Sequence, residues 1–330
     1  MSTEIAVVGP GRMGVGIVTA ILLGDQGHRV TLIDTKKREA GTETGALETA
    51  LAQIEDNLTL LGKLGLFEGD PQTVCHQVQL SVDTADVAPC AYIFEALPEK
   101  IDLKREFYAA VGPLMGDESI VASATSTFQL DVFSGACSKP GHIVTAHWLN
   151  PAFLIPLVEI AHGGATHPWA VEKLQGFLTG IGKIPVTLRS SPGFIVPRIQ
   201  VAAMNEAVRM LEEGVATAAE IDTAIKAGFG FRLGVLGLIE FIDLGGVDIL
   251  SHAGNYLHSA LGADHYKPPA LVSQKMRDNE VGPRTGKGFF DYRGVDTTAM
   301  FRKRYQGFVE LLDLYRKSSV LSFTGGIDKQ

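Results

Sequence analysis

Cysteine is scarce in this chain. Cys75, Cys90 and Cys137 are its three, widely spaced and without a CxxC pair. That spacing excludes a disulfide framework and the common zinc patterns, and it suits reduced thiols in a cytoplasmic compartment. Surplus positive charge is missing too: 29 Lys and Arg stand against 37 Asp and Glu, for a formal net charge of -8. A nucleic-acid footprint needs clustered Lys and Arg, so nucleic acid is not an expected partner. No uninterrupted apolar run reaches membrane-spanning length, so no membrane partner is expected. The opening MSTEIAVVG enters a strand-like run at once, which leaves no expected signal or transit peptide. Internal repeats, low-complexity tracts and heptads are also wanting.

What is present is a globular composition: 330 residues, 45% hydrophobic and 20% charged, enough for two domains with substantial cores. In the first half, β-rich runs at 4–9, 29–34, 77–81, 91–96, 119–125 and 142–148 alternate with helical stretches. One such stretch, 46–62, repeats Leu47, Leu51, Ile54, Leu58 and Leu61 at helical spacing. This alternation predicts a parallel sheet covered by helices on both faces. A further strand is expected at 185–189, after a helix over 168–181. Ser190-Ser191-Pro192-Gly193 then punctuates the chain, with proline placed to open a helix. Beyond it β-like runs nearly vanish. Residues 194–214 read as one apolar helix ending at Gly214, and 216–228 as a second, capped by Thr217 and stopped by Gly228. Residues 302–317 read as a solvated amphipathic helix. The expected fold is α/β: a Rossmann-type, doubly wound parallel sheet over 1–190, followed by an all-α substrate and dimerisation domain over 191–330.

VVGPGRMGVGIVTAILLGDQGHRVTLID carries Gly9, Gly11 and Gly14 as GxGxxG. Alone the pattern is weak, since glycines serve ordinary turns. Here it follows a strand, opens a helix and precedes a second strand ending in Asp34, the context of a dinucleotide site. Gly9 permits the tight turn, Gly11 admits a pyrophosphate to the backbone, and Gly14 lets helix and sheet pack closely. Arg12 and Met13, between these glycines, are expected cofactor-binding positions too. Asp34 should accept hydrogen bonds from an adenosine ribose and repel a 2′-phosphate, which favours NAD. Lys36, Lys37 and Arg38 pull the other way, because basic residues there welcome NADP.

In AHWLNPAFLIPLVEI, His147 ends a strand expected on the carboxyl edge of the sheet, where ligands of such folds bind. Glu159 lies alone in an apolar run. Two readings fit. If VEIA returns as a strand beside the first, the carboxylate orients an acid/base imidazole. Otherwise the histidine is satisfied by a backbone carbonyl and Glu159 sits on a sheet edge.

These residues, with GxGxxG and Asp34, IFEALPEKIDLK, ATST, SPGFIVPR and RTGKGFFDY, carry a family likeness. The chain resembles the L-3-hydroxyacyl-CoA dehydrogenase family over nearly its full length. The resemblance implies an NAD-dependent dehydrogenase of 3-hydroxyacyl-CoA thioesters, short-chain ones foremost, working as a homodimer in fatty-acid metabolism. It implies His147 as general base, Glu159 as its orienting carboxylate, and Ser126 and Asn150 as polar groups on the substrate oxygen and the nicotinamide side. Glu99, Lys104 and Arg284 match positions lining the cofactor, although Arg284 stands where a lysine is common.

Three departures bear on the substrate. Pro197 replaces an asparagine usual near the active site, and proline offers no polar contact there. Helix 46–62, expected to meet coenzyme A, carries Glu48, Glu55 and Asp56 and no basic residue before Lys63. The loop GFGFRLGVLGLIEFID is longer before Glu240 than in the usual form, closer to branches acting on free acids such as L-gulonate and carnitine dehydrogenases. In it, Arg232 could fork onto a substrate carboxylate, or it is an ordinary surface or dimer-interface residue. The rival to the thioester reading is therefore the same chemistry on a free 3-hydroxy acid. A hydrolase using Ser126, His147 and Glu159 lacks the nucleophile elbow. A non-catalytic nucleotide-binding protein, such as a lens crystallin, would have no use for His147, Asn150 and Glu159. His162/His167 and His252/His258 have metal-like spacing without carboxylates and read as surface or capping residues.

Overall fold

The structure is a computed structural model that describes residues 3–24, 27–39, 41–42 and 44–318. Its strands are β1 (Glu4–Val8), β2 (Arg29–Ile33), β3 (Gln79–Ser81), β4 (Tyr92–Glu95), β5 (Ile120–Ser123), β6 (Ile143–Trp148), β7 (Leu157–His162) and β8 (Ile184–Arg189). Helices of the same half are α1 (Arg12–Leu23), α2 (Gly45–Lys63), α3 (Pro71–Cys75), α4 (Ile101–Val111) and α5 (Pro168–Gly180), followed by α6 (Val196–Glu212). The chain forms two compact units that divide between Ala203 and Met204, inside α6.

The first unit is built on one eight-stranded sheet in the order β3-β2-β1-β4-β5-β6-β7-β8. Period-2 alternation assigns its two faces. Ile5 and Val7 point into one core with Ile17, Leu32, Phe94 and Trp148, where α1, α2 and α5 pack. Ala6 and Val8 point into the other, with Ile33, Ile93, Phe107, Tyr108 and Val111 from α4. Burial of each such large side chain contributes about 1.5–3 kcal/mol. Strands buried on both faces read as continuous apolar runs, and all six residues of β6 are buried.

The sheet is the expected, mostly parallel one, and VEIA does return beside the strand of His147: β6 and β7 are antiparallel, and β8 then runs parallel to β7. The link 149–156 is too short for a crossover, which takes about a dozen residues or more, so the chain doubles back. The remaining sheet pairings are parallel.

The second unit is helical. After the end of α6 come α7 (Ala218–Ala224), α8 (Phe231–Leu233), α9 (Leu238–Gly245), α10 (Val247–Leu261), α11 (Ala270–Arg277) and α12 (Thr297–Lys317). Thr217 caps α7 as expected: its Oγ1 accepts from the Glu220 N–H at 3.3 Å, and its own N–H donates to Glu220 Oε2 at 2.9 Å. Gly228 does not stop the helix. A π turn over Ile225–Gly230 carries the chain through it into α8, because Gly228 keeps a right-handed backbone instead of the positive φ of a helix stop. The RTGKGFFDY segment is pinned by buried Asp243, which accepts from the Phe289 and Phe290 N–H groups at 2.8 Å each and from the Tyr292 hydroxyl at 3.2 Å. Gly288 is required there, since a Cβ would lie 2.3 Å from Asp243 Oδ1.

Candidate active site

The GxGxxG turn connects β1 to α1. Gly9 has φ +108° and passes so close to β4 that a Cβ would stand 2.6 Å from the Ala96 carbonyl oxygen. A Cβ on Gly14 would stand 2.0 Å from the Gly9 carbonyl oxygen, so the helix starts hard against the strand. Nothing lies within 4 Å of a Cβ built on Gly11. That position opens onto a cleft of about 590 Å³ lined by Gly9, Gly11, Met13, Asp34, Leu97 and Lys100. A backbone turn free of side chains, a helix amino terminus and an acid at the end of β2 make this cleft fit a dinucleotide.

Beyond β4 lies a buried ionic network. Glu95 is 0% exposed. It takes the Lys104 ammonium at 2.8 and 2.9 Å, the Ser123 hydroxyl at 2.6 Å, the Tyr108 hydroxyl at 3.2 Å and the Leu97 N–H at 2.9 Å. Lys104 also lies 3.3 Å from Glu99. With 1% exposure, Lys104 does not line the cleft as expected, and it bears on the site through Glu99. Glu99 in turn accepts from the Thr125 hydroxyl and, at 3.1 Å, from the Thr127 N–H. It therefore braces both sides of Ser126, which is exposed in the bend after β5. Burial pushes the Glu99 carboxyl up, but the Thr125 hydroxyl and the Lys104 ammonium outweigh it, and its pKa falls below the ordinary value.

The reversal at β7 sets His147 directly opposite Glu159 in register. Opposed residues of an antiparallel pair project from the same face, and Glu159 Oε2 lies 2.7 Å from His147 Nδ1. Both are buried, at 3% and 0% exposure. The other carboxylate oxygen accepts from the Ile195 and Val196 N–H groups at 2.9 and 3.0 Å, where α6 begins. Glu159 is thus held by a helix amino terminus on one side and an imidazole on the other. Burial raises its pKa, but the His147 and backbone hydrogen bonds lower it further, for a net downward shift. The Phe194 ring packs on the imidazole with centroids 4.9 Å apart. Phe194 has φ 46°, a strained conformation for a side chain of that size. With an ionised carboxylate at Nδ1, that nitrogen must donate, which leaves Nε2 as the lone-pair nitrogen.

Asn150, just past β6, is exposed and joins Arg12, Gln53, Asp56, Asn57 and Phe153 around a second cleft of about 450 Å³. Arg12 lines both clefts, so they adjoin at the start of α1. The wall of this loop is tied down by Lys183, a buried ammonium that donates to the Ala152 and Ile155 carbonyls at 2.7 and 3.0 Å. Pro197 falls in the first turn of α6, where a missing N–H costs nothing to the helix. In the second unit, Arg232 is exposed and stacks over Phe241 with its guanidinium carbon 5.5 Å from the ring centre. Arg284 is ion-paired with Asp248 there and is 58% exposed.

Gly9, Gly11, Met13 and Asp34 thus share one cleft, while Glu99 and Lys104 share a network that holds the two neighbours of Ser126. Sequence reasoning passed over Glu95, Phe194, Lys183 and the α6 N–H groups. A lone acid closing the apolar run YIFE was the available signal for Glu95.

Known proteins align with this chain over most of its length. The family description "3-hydroxyacyl-CoA dehydrogenase, NAD binding domain" matches residues 4–191, and its C-terminal domain counterpart matches 193–292. A probable 3-hydroxybutyryl-CoA dehydrogenase of Deinococcus radiodurans is 30% identical over 289 residues, covering 88% of this chain and all of that one (100%). A 5-formyl-3-hydroxy-2-methylpyridine 4-carboxylate 5-dehydrogenase of Mesorhizobium japonicum is 29% identical over 306 residues, covering 92% of this chain and 95% of its own. The crystal structure of a 3-hydroxyacyl-CoA dehydrogenase from Archaeoglobus fulgidus superposes with a TM-score of 0.76 at 28% identity, covering 96% of this chain and 100% of that one. With a nucleotide turn, a carboxylate–imidazole pair and both family domains in one chain, the protein belongs to the 3-hydroxyacyl-CoA dehydrogenase family and is an NAD-dependent oxidoreductase of its type, acting on a CH–OH group.

Proposed function

We propose that the chain interconverts a short-chain L-3-hydroxyacyl-CoA and its 3-oxoacyl-CoA, with His147 as general acid/base. The single observation that carries this reading is the buried 2.7 Å pair between His147 Nδ1 and Glu159. In oxidation Nε2 takes the hydroxyl proton from the substrate, and Glu159 stabilises the imidazolium that forms. In reduction the imidazolium returns that proton to the developing alkoxide. NAD supplies the hydride acceptor when bound. Ser126 and Asn150, exposed at the carboxyl ends of neighbouring strands β5 and β6, serve as hydrogen-bond partners of the substrate oxygen. Gly9, Gly11, Arg12, Met13, Gly14 and Asp34 hold the dinucleotide, with Glu99 and Arg284 as further cofactor contacts.

A second reading replaces the thioester by a free 3-hydroxy acid or another small carboxylated alcohol. The cleft beside Asn150 supports it, because its α2 wall offers Gln53, Asp56 and Asn57 and leaves Arg12, at the start of α1, as the single cation among the described lining residues for the several phosphates of coenzyme A. The pyridine carboxylate dehydrogenase among the relatives points the same way. Arg232 is the proposed carboxylate fork in that case. Rates with 3-hydroxybutyryl-CoA beside a panel of free hydroxy acids separate the two. Turnover of the thioester alone supports the first reading, and turnover confined to free acids, abolished by Arg232→Ala, replaces it with the second.

The proposal extends to organisation. Residues 1–190 serve the cofactor, and 191–330 serve substrate and dimer contacts. Met204 and Val208 on α6 are 60% and 54% exposed, which supports an apolar homodimer face. Among the described residues no helix is long and apolar enough to cross a membrane; a cytoplasmic location is part of the same proposal.

A further inference from the structure

Asp34 is not a bare acid. Its Oδ2 accepts from Arg38 Nε at 2.8 Å and from Nη2 at 2.6 Å, and its Oδ1 accepts from the Lys36 N–H at 3.1 Å. The pair is sheltered, with side-chain exposures of 26% for Arg38 and 6% for Asp34. Among the described residues lining this cleft Asp34 is the only acid, against the cations Arg12, Lys36, Arg38 and Lys100.

An acid at the end of the second strand discriminates between dinucleotides in two ways: it accepts from the ribose diol and it repels a 2′-phosphate. The first survives here, since a carboxylate offers about four acceptor sites and the protein fills three. The second is cancelled by the guanidinium laid across Oδ2. A phosphate arriving at this end meets a neutral Asp34–Arg38 pair flanked by Lys36 and Lys100, so the local field attracts it. A guanidinium also presents a planar fork of donors that suits a phosphate as well as a carboxylate. Arg38 is placed to turn from one to the other.

We propose that this cleft accepts a 2′-phosphorylated dinucleotide, NADP(H), alongside NAD(H), and that Arg38 sets the ratio between them. The inference concerns the cofactor cleft alone and stands whichever substrate is correct.

Equilibrium titration of the full-length protein with NADH and with NADPH, followed by nicotinamide fluorescence, tests it without any substrate. For the unaltered protein the two dissociation constants should lie within about tenfold of each other, because the charge Asp34 would use for exclusion is neutralised. Arg38→Ala should widen the preference for NADH by about tenfold, the size of one charge-assisted hydrogen bond, chiefly by weakening NADPH. Arg38→Gln, which keeps most of the side-chain volume, should act in the same direction. A preference for NADH beyond tenfold in the unaltered protein overturns the proposal. So does a ratio that moves by less than about fivefold in both variants, including the case where both dinucleotides weaken together.

Discussion

Replacing Glu159 by glutamine tests the carboxylate–imidazole pair with the smallest change of shape. The carboxylate satisfies two sets of donors at once: Oε1 takes the Ile195 and Val196 N–H groups, and Oε2 faces His147 Nδ1. An amide has one oxygen and one NH₂, so it serves both sets only if the imidazole changes tautomer. If its oxygen keeps the two backbone N–H groups, its NH₂ faces Nδ1, which must then present a lone pair and move the ring proton to Nε2. That tautomer is useless as a base toward a substrate hydroxyl. If the amide is flipped, two buried N–H donors lose their acceptor, at about 1–3 kcal/mol each. The working tautomer is thus disfavoured by about 2–6 kcal/mol, or roughly 30-fold to 10⁴-fold at 1.36 kcal/mol per decade. The lost imidazolium stabilisation adds to this, and kcat should fall about 10²–10⁴-fold. The assay is NADH absorbance with the best substrate from the thioester and free-acid panel, alongside NADH binding by fluorescence. A Glu159→Gln variant that binds NADH normally and keeps kcat within tenfold of the unaltered protein would refute the reasoning.

Three further outcomes follow from the same geometry. Lys104→Met leaves Glu95 buried without its cation, and such a broken pair costs about 3–5 kcal/mol, so the thermal midpoint should drop by several degrees; an unchanged midpoint would show that Lys104 is dispensable. Gly288→Ala forces a Cβ to within 2.3 Å of Asp243 Oδ1 and should destabilise the protein by about 1–3 kcal/mol, checked by urea unfolding, where an unaltered midpoint would count against the close approach. Glu159 has a folded pKa below its ordinary 4.5, so the stability it provides is complete above that pH and is lost as pH falls through the lower folded value. Thermal midpoints measured across that range should therefore fall more steeply for the unaltered protein than for Glu159→Gln, and equal slopes would contradict the shift.

The outline of the fold was readable because its signals are local. Short β-rich apolar runs alternating with helical stretches located the strands, and glycines 9, 11 and 14 located the nucleotide turn within that pattern. The pair at His147 was harder. Twelve residues of separation mean nothing until the short link after Trp148 is seen to force an antiparallel return, which alone puts Glu159 opposite His147. The partners on its other oxygen come from Ile195 and Val196, and backbone N–H groups leave no mark in a sequence. Lys104 misled for a related reason. A lysine usually reaches solvent, and only the coincidence of Glu95, Tyr108 and Ser123 on three elements makes a buried site that can hold its charge. Arg38 was noted as one of a basic trio near Asp34, yet its grip on that carboxylate depends on the loop conformation after β2. The same holds for Gly288, whose need for a bare Cα is set by Asp243, far off in the chain.

The most direct test of the account is His147→Ala, with turnover and NADH binding measured on the same preparation. The imidazole moves the proton and leaves the dinucleotide turn at Gly9–Gly14 untouched, so NADH should bind with an essentially unchanged dissociation constant while kcat falls by about 10² or more. Near-normal turnover in that variant would contradict the central claim.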